Sequence, residues 1–95
     1  MRVLGVKKIL SFCKKHNQAK AYLEAWMNEV KTASWKTTHD IKKRYSTASF
    51  LSNNRIIFNI KGNDYRLVVQ VIYVNGIVNI EYIGTHAEYD KWRLK

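Results

Sequence analysis

Proline is absent from these 95 residues, cysteine occurs once, glycine four times, and acids number seven against seventeen Lys and Arg. Each scarcity excludes something. A lone thiol, Cys13, has no internal disulfide partner and cannot build a zinc site by itself. The sequence has no Gly-rich phosphate loop, and no nucleophile elbow surrounds any serine. Carboxylates are too sparse for a paired-acid site, and Glu81 on the last expected strand has no obvious acidic partner. His16, His39 and His86 are scattered rather than set at ligand spacing, so neither a metal nor a cofactor is expected. No stretch approaches the roughly 20 apolar residues of a membrane helix. The first eight residues carry a short apolar patch and then lysines, without the long apolar core of a signal peptide. A cytoplasmic protein without a membrane role is expected.

The charge is what the sequence has in abundance. A net charge of +10 on so small a body repels itself, so a polyanionic partner is the natural expectation, nucleic acid first. A basic surface kept for solubility, or one shaped to meet an acidic protein, is the plainer reading. The apolar fraction of 46% is enough for one modest core, and a single domain over 1–95 is expected.

Hydrophobic spacing gives the elements. Residues 1–4 read as a short strand. Val6, Ile9, Leu10 and Cys13 then fall on one helical stripe, with Lys7, Lys8, Lys14 and Lys15 largely off it, which makes Cys13 a core residue. Asn17 has the chemistry of an N-cap for a second helix, where Ala19, Leu23, Trp26, Met27 and Val30 recur as packing residues. Thr37 or Thr38 caps a short helix over 40–44, with Asp40 at its positive end. Residues 46–54 read as a polar loop around Phe50 and Leu51. Strands follow: Ile56, Phe58 and Ile60 alternate with Arg55, Ile57, Asn59 and Lys61. The turn Lys61-Gly62-Asn63-Asp64 relies on Gly and Asn for positive backbone angles. Residues 65–74 form the central strand, and Asn75-Gly76 turns into a third strand over 77–83. Thr85-His86-Ala87-Glu88 has capping-box spacing, so a terminal helix begins at Thr85. The fold class is therefore α+β, a small antiparallel-rich twisted sheet with helices packed on it.

The candidate chemistry clusters after residue 54. Arg55 begins a strand, Lys61 and Arg66 flank a hairpin, and His86 and Tyr89 share one face of the terminal helix, three residues apart. Amides at that helix start suit phosphate, and the arginines suit charge developing on it. RNA cleavage can proceed with such groups alone, because the substrate's 2′-hydroxyl is the nucleophile. Each residue also has a plainer reading: His86 as a surface or capping residue, Tyr89 as packing, Arg66 as decoration of an exposed strand.

Three segments carry a resemblance. Asn53-Asn54-Arg55-Ile56-Ile57-Phe58-Asn59-Ile60-Lys61-Gly62-Asn63 and Tyr65-Arg66-Leu67-Val68-Val69 resemble the "NNR-x-x-FNIKGN-x-YRL" core of the HigB family of toxins. Gly84-Thr85-His86-Ala87-Glu88-Tyr89-Asp90 resembles its "GTHAEYD" ending, and Trp26, Trp35 and Lys36-Thr37 sit where such proteins carry an aromatic and a "W-K-T" segment. The resemblance implies a RelE-like fold and ribosome-dependent cleavage of mRNA. It implies neutralisation by a HigA-type antitoxin, a helix-turn-helix protein through whose complex alone operator DNA is bound. Carried over, phosphate-holding and transition-state roles fall to Arg55, Lys61 and Arg66, with proton transfer by His86 and Tyr89. Asn59 and Lys91 join Arg55, Lys61 and Arg66 as RNA contacts. RelE-type toxins do not share one catalytic set, and only one histidine lies in this stretch, so Tyr89 or Lys61 stands as an alternative base. A non-catalytic RNA- or ribosome-binding module that blocks translation by occupancy is the alternative function. A DNA-binding regulator in its own right fits least, for want of a recognisable helix-turn-helix.

Overall fold

A computed structural model describes residues 1–92, so the last three residues of the domain expected over 1–95 lie outside them. The chain opens with β1 (Arg2–Leu4) and α1 (Val6–Lys15). Ile9, Phe12 and Cys13 are buried, and burial pushes the Cys13 thiol above its ordinary pKa, which disfavours the thiolate form. Leu10, expected on the same stripe, is 55% exposed. One residue is about 100° of helical turn, which carries Leu10 out of the arc that Ile9 occupies. Asn17 does not cap the next helix. It opens a 3-10 turn, Asn17–Ala19, that runs straight into α2 (Lys20–Thr32), so no side-chain cap is made there. Leu23, Trp26, Met27 and Val30 are buried on α2, as their spacing requires.

Thr37 caps α3 (Thr38–Arg44): its hydroxyl accepts from the Asp40 amide, while the Asp40 carboxylate accepts from the amides of Lys36 and Thr37. The stretch 46–54 is not wholly loop. Ser49–Phe50 forms β2, paired antiparallel with Ile57 and Ile56 at the sheet edge. A meander follows: β3 (Arg55–Ile60), β4 (Tyr65–Ile72) and β5 (Ile77–Thr85). In the β3–β4 turn the positive angles fall on Lys61 and Gly62, at φ of 53° and 64°, where Gly and Asn were expected to carry them. The expected strand over 65–74 stops at Ile72, because Tyr73–Asn75 winds into a 3-10 turn that Gly76 ends.

The sheet order is β1-β5-β4-β3-β2, with β4 central as expected and β1 parallel to β5. That parallel pairing joins residues 75 apart in sequence, which local periodicity cannot reveal. The result is an α+β fold with a five-stranded mixed sheet and, among the described residues, four helices. The core lies on one side of the sheet. Ile56, Phe58, Ile60, Leu67, Val69, Val71, Val78 and Ile80 meet the buried residues of α1, α2 and α3 there. Phe58 is its aromatic centre, touching Trp26, Trp35 and Tyr45 at ring-centroid distances of 5.4, 6.2 and 5.1 Å. The last helix, α4 (His86–Tyr89), starts at Thr85 as its capping box requires.

Candidate active site

Strand side chains alternate between faces, so the register fixes what the helix-free side carries. Arg55, Ile57 and Asn59 of β3 stand opposite Gln70, Val68 and Arg66 of β4, and beyond these come Asn79, Tyr82 and Gly84 of β5. Ile57 and Val68 are 4% and 0% exposed although they lie outside the helix-side core. They form an apolar floor beneath a polar and aromatic cover.

The cover is built by α4 and one irregularity of β5. Val68 pairs with Tyr82 and Val69 with Ile80, so Glu81 is the extra residue of a β-bulge. Its carboxylate lies 2.9 Å from Arg55 Nε across the width of β4, with the two side chains 20% and 27% exposed. At the other end of the face α4 folds back over β4 and β5. The Thr85 hydroxyl accepts from the Glu88 amide, and the Glu88 carboxylate accepts from the Thr85 amide. That second bond, with the backbone as donor, holds the Glu88 pKa below its ordinary value of 4.5. Gly84 permits the approach, since a Cβ there would stand 2.7 Å from an atom of the Trp92 ring.

Arg66, Tyr89 and His86 come together under this arrangement. The Arg66 guanidinium carbon is 5.3 Å from the Tyr89 ring centroid, a cation–π contact, and Nη1 donates to the Asn63 carbonyl at 3.3 Å. The Tyr89 and His86 rings lie 6.4 Å apart and nearly parallel. His86 is half-exposed, with Nε2 3.8 Å from the Asp90 carboxylate one turn on. Trp92 closes the group against Tyr82 and Tyr89 at 5.3 and 5.6 Å.

Of the other expected residues, Asn59 is the cross-strand neighbour of Arg66, while Arg55 and Lys61 stand apart from the trio. Arg55 shares the face, four residues along β3 from Asn59 and so about 13 Å away along the strand. Asn59 donates to the Thr47 carbonyl at 3.3 Å, toward the edge that β2 leaves uncovered. Lys61 turns toward the helix layer, 3.2 Å from Gln18 Oε1 and 3.6 Å from the Asp64 carboxylate. Lys91 is exposed in the turn after α4. The helix-start amides expected to bind phosphate are engaged: His86 N donates to Asp64 O at 3.1 Å and Glu88 N to Thr85 Oγ1.

Asp90, Glu81, Tyr82 and Trp92 join the expected residues at this face. Asp90 was signalled by its four-residue spacing from His86 on a helix. Glu81 required the bulge, which shifts register without a sequence mark. Tyr82 and Trp92 required knowing that α4 doubles back.

A family model described as HigB toxin, the RelE-like toxic component of a toxin-antitoxin system, matches residues 19–92. The chain belongs to that family. The match takes in β2 to β5, α2 to α4 and every expected site residue, and a comparison with curated proteins gave no match. A toxin of such a system has an antitoxin as its partner, which is one obligation its surface must meet. Among the described residues, no helix is long and apolar enough to cross a membrane, and no group of three or more His, Cys, Asp or Glu is placed to hold a metal ion.

Proposed function

We propose that this toxin is an endoribonuclease that cuts messenger RNA on the ribosome, arrests growth, and is neutralised by a HigA-type antitoxin. The observation that carries the reading is the trio of Arg66, Tyr89 and His86 on the helix-free side of the sheet, backed by Asp90. It combines a fixed cation with two groups able to exchange protons, all reachable from solvent.

In the proposed reaction the 2′-oxygen of one nucleotide attacks the adjoining phosphorus. The O2′–P bond forms and the P–O5′ bond breaks. His86 accepts the 2′-hydroxyl proton, with Asp90 placed to stabilise the imidazolium that results. Tyr89 delivers a proton to the departing 5′-oxygen. Arg66 balances the charge that builds on the non-bridging oxygens, and its stack on Tyr89 fixes its direction. The products are a 2′,3′-cyclic phosphate and a 5′-hydroxyl. The substrate supplies the nucleophile, so the scheme calls for no cofactor. Arg55, Asn59, Lys61 and Lys91 contact the flanking strand. Lys61 is assigned there rather than to the reacting centre because its ammonium is held by Gln18 and Asp64. Modest acid–base groups suit ribosome dependence, since the ribosome aligns the message and supplies part of the orientation. Operator binding belongs to the toxin–antitoxin complex.

Induced expression of wild type and His86→Ala tests the proposal, with growth followed and transcript 5′ ends mapped. The expected result is arrest with cuts inside translated messages, both lost or strongly reduced in the variant. Arrest with intact transcripts would mean a translation blocker that acts by occupancy. Undiminished cutting by His86→Ala would move the base elsewhere.

A further inference from the structure

Lys7, Ser11 and Lys15 recur every fourth residue along α1, so they form one exposed row about 12 Å long. The row borders a groove of about 470 Å³ between α1 and β5. The groove exists because β1 pairs with β5 only as far as Asn79. Past that point Lys8 replaces a neighbouring strand, donating Nζ to the carbonyls of Ile80 and Glu81 at 3.3 and 3.1 Å. Lys8 is thereby spent on the wall, whereas Lys7 and Lys15 stand exposed on the row above it.

The two acids that border the groove each have a hydrogen-bonded or paired partner, although the Glu88 charge is also felt by Lys15 and His16. Glu81 is paired with Arg55, and the Glu88 carboxylate caps the Thr85 amide. Two rings complete the lining. His16 stacks on Phe12 at 4.4 Å, and Tyr82 is 44% exposed. Glu81 and Tyr82 belong to both the groove and the helix-free face of the sheet, so the two surfaces are continuous at the bulge.

We propose that this groove is a second binding site for single-stranded RNA, in which Lys7 and Lys15 hold backbone phosphates and a base lies against His16 or Tyr82. It extends the cleavage site described above and rests on that reading for its substrate. Cations in a row with aromatic rings beside them are what a single strand needs, phosphates on one side and stacked bases on the other. An acidic protein segment would use the lysines but would leave the rings without a purpose.

The test is binding of a fluorescent 15-nucleotide 2′-O-methyl RNA, which cannot be cut by 2′-oxygen attack, measured against NaCl concentration. Wild type, the double variant Lys7→Ala/Lys15→Ala and the control Lys14→Ala/Lys43→Ala are compared. All four lysines are exposed, so folding is not at stake. Two lost phosphate contacts lower the slope of log affinity on log salt by about 1.4, which corresponds to roughly 25-fold weaker binding at 0.1 M salt. The control should stay near wild type. An equal loss in the control would reduce the effect to net charge and overturn the proposal. So would an unchanged slope in the groove variant. Transcript mapping keeps the two claims apart: a toxin that never cuts but shows the slope change refutes the nuclease and leaves the groove.

Discussion

The two faces of β3 and β4 are built for different tasks. On the helix side Ile56, Phe58, Ile60, Leu67 and Val69 are all buried, and each alternates with a residue facing the other way. On the far side the same strands present Arg55, Asn59, Arg66 and Gln70 over Ile57 and Val68. Period-two alternation lets one short segment serve stability and chemistry independently, because a change on one side leaves the other side's neighbours in place. The far side is where local rules are bent: a bulge at Glu81, a glycine under a tryptophan, and an arginine laid on a tyrosine. Such departures from regular sheet are expected where a surface is built to hold something.

The contrast can be broken from either side. Phe58→Ala removes the ring at the centre of the core and should cost about 3–5 kcal/mol, seen as a Tm lowered by some 15 °C or more. Arg66→Ala should do the reverse, cutting mRNA cleavage by about 100- to 1000-fold while Tm stays within a few degrees. If Arg66→Ala unfolds the protein, the far side is structural and the division fails.

Smaller effects sharpen the picture. Thr85→Ala removes the cap of α4 and should cost about 1 kcal/mol, with a further loss of cleavage because His86 and Tyr89 lose their anchor. The same cap gives a pH dependence. The Glu88 pKa is depressed in the folded state, so its contribution is present above its ordinary value of 4.5 and is lost as pH falls through the lower folded value. Tryptophan fluorescence should therefore report α4 loosening in acid, and Glu88→Gln should lessen that change. Smallest is Glu81→Gln. With the partly buried pair undone, stability should fall by about 1 kcal/mol or less, and Arg55, which no longer shares its charge with a carboxylate, should hold the flanking strand more tightly, raising RNA affinity by up to about fivefold.

Much of this was legible in the sequence because it is local. The meander, the central place of β4, a threonine cap at 37 or 38, the Thr85 cap and the buried state of Cys13, Trp26 and Met27 all follow from periodicity and capping chemistry. What was not legible depends on distant partners. Parallel pairing of β1 with β5, recruitment of Ser49–Phe50 as an edge strand, and the turn of Lys61 toward Gln18 are set by tertiary contacts. So is the Arg55–Glu81 pair, whereas the exposure of Leu10 follows from the 100° step of the helix itself. Arg66, His86 and Tyr89 could be nominated from sequence, but their meeting depends on α4 doubling back over Gly84, which neither composition nor spacing announces.

In the proposed function, the far side of the sheet cuts RNA through the trio at its α4 end. The most direct test is the rate at which purified Tyr89→Phe cleaves mRNA on translating ribosomes, compared with wild type at matched thermal stability. Tyr89→Phe should cleave at least about 100-fold more slowly, because a proton donor is removed while the ring that supports Arg66 remains. Equal rates would contradict that proposal and exclude Tyr89 from the chemistry.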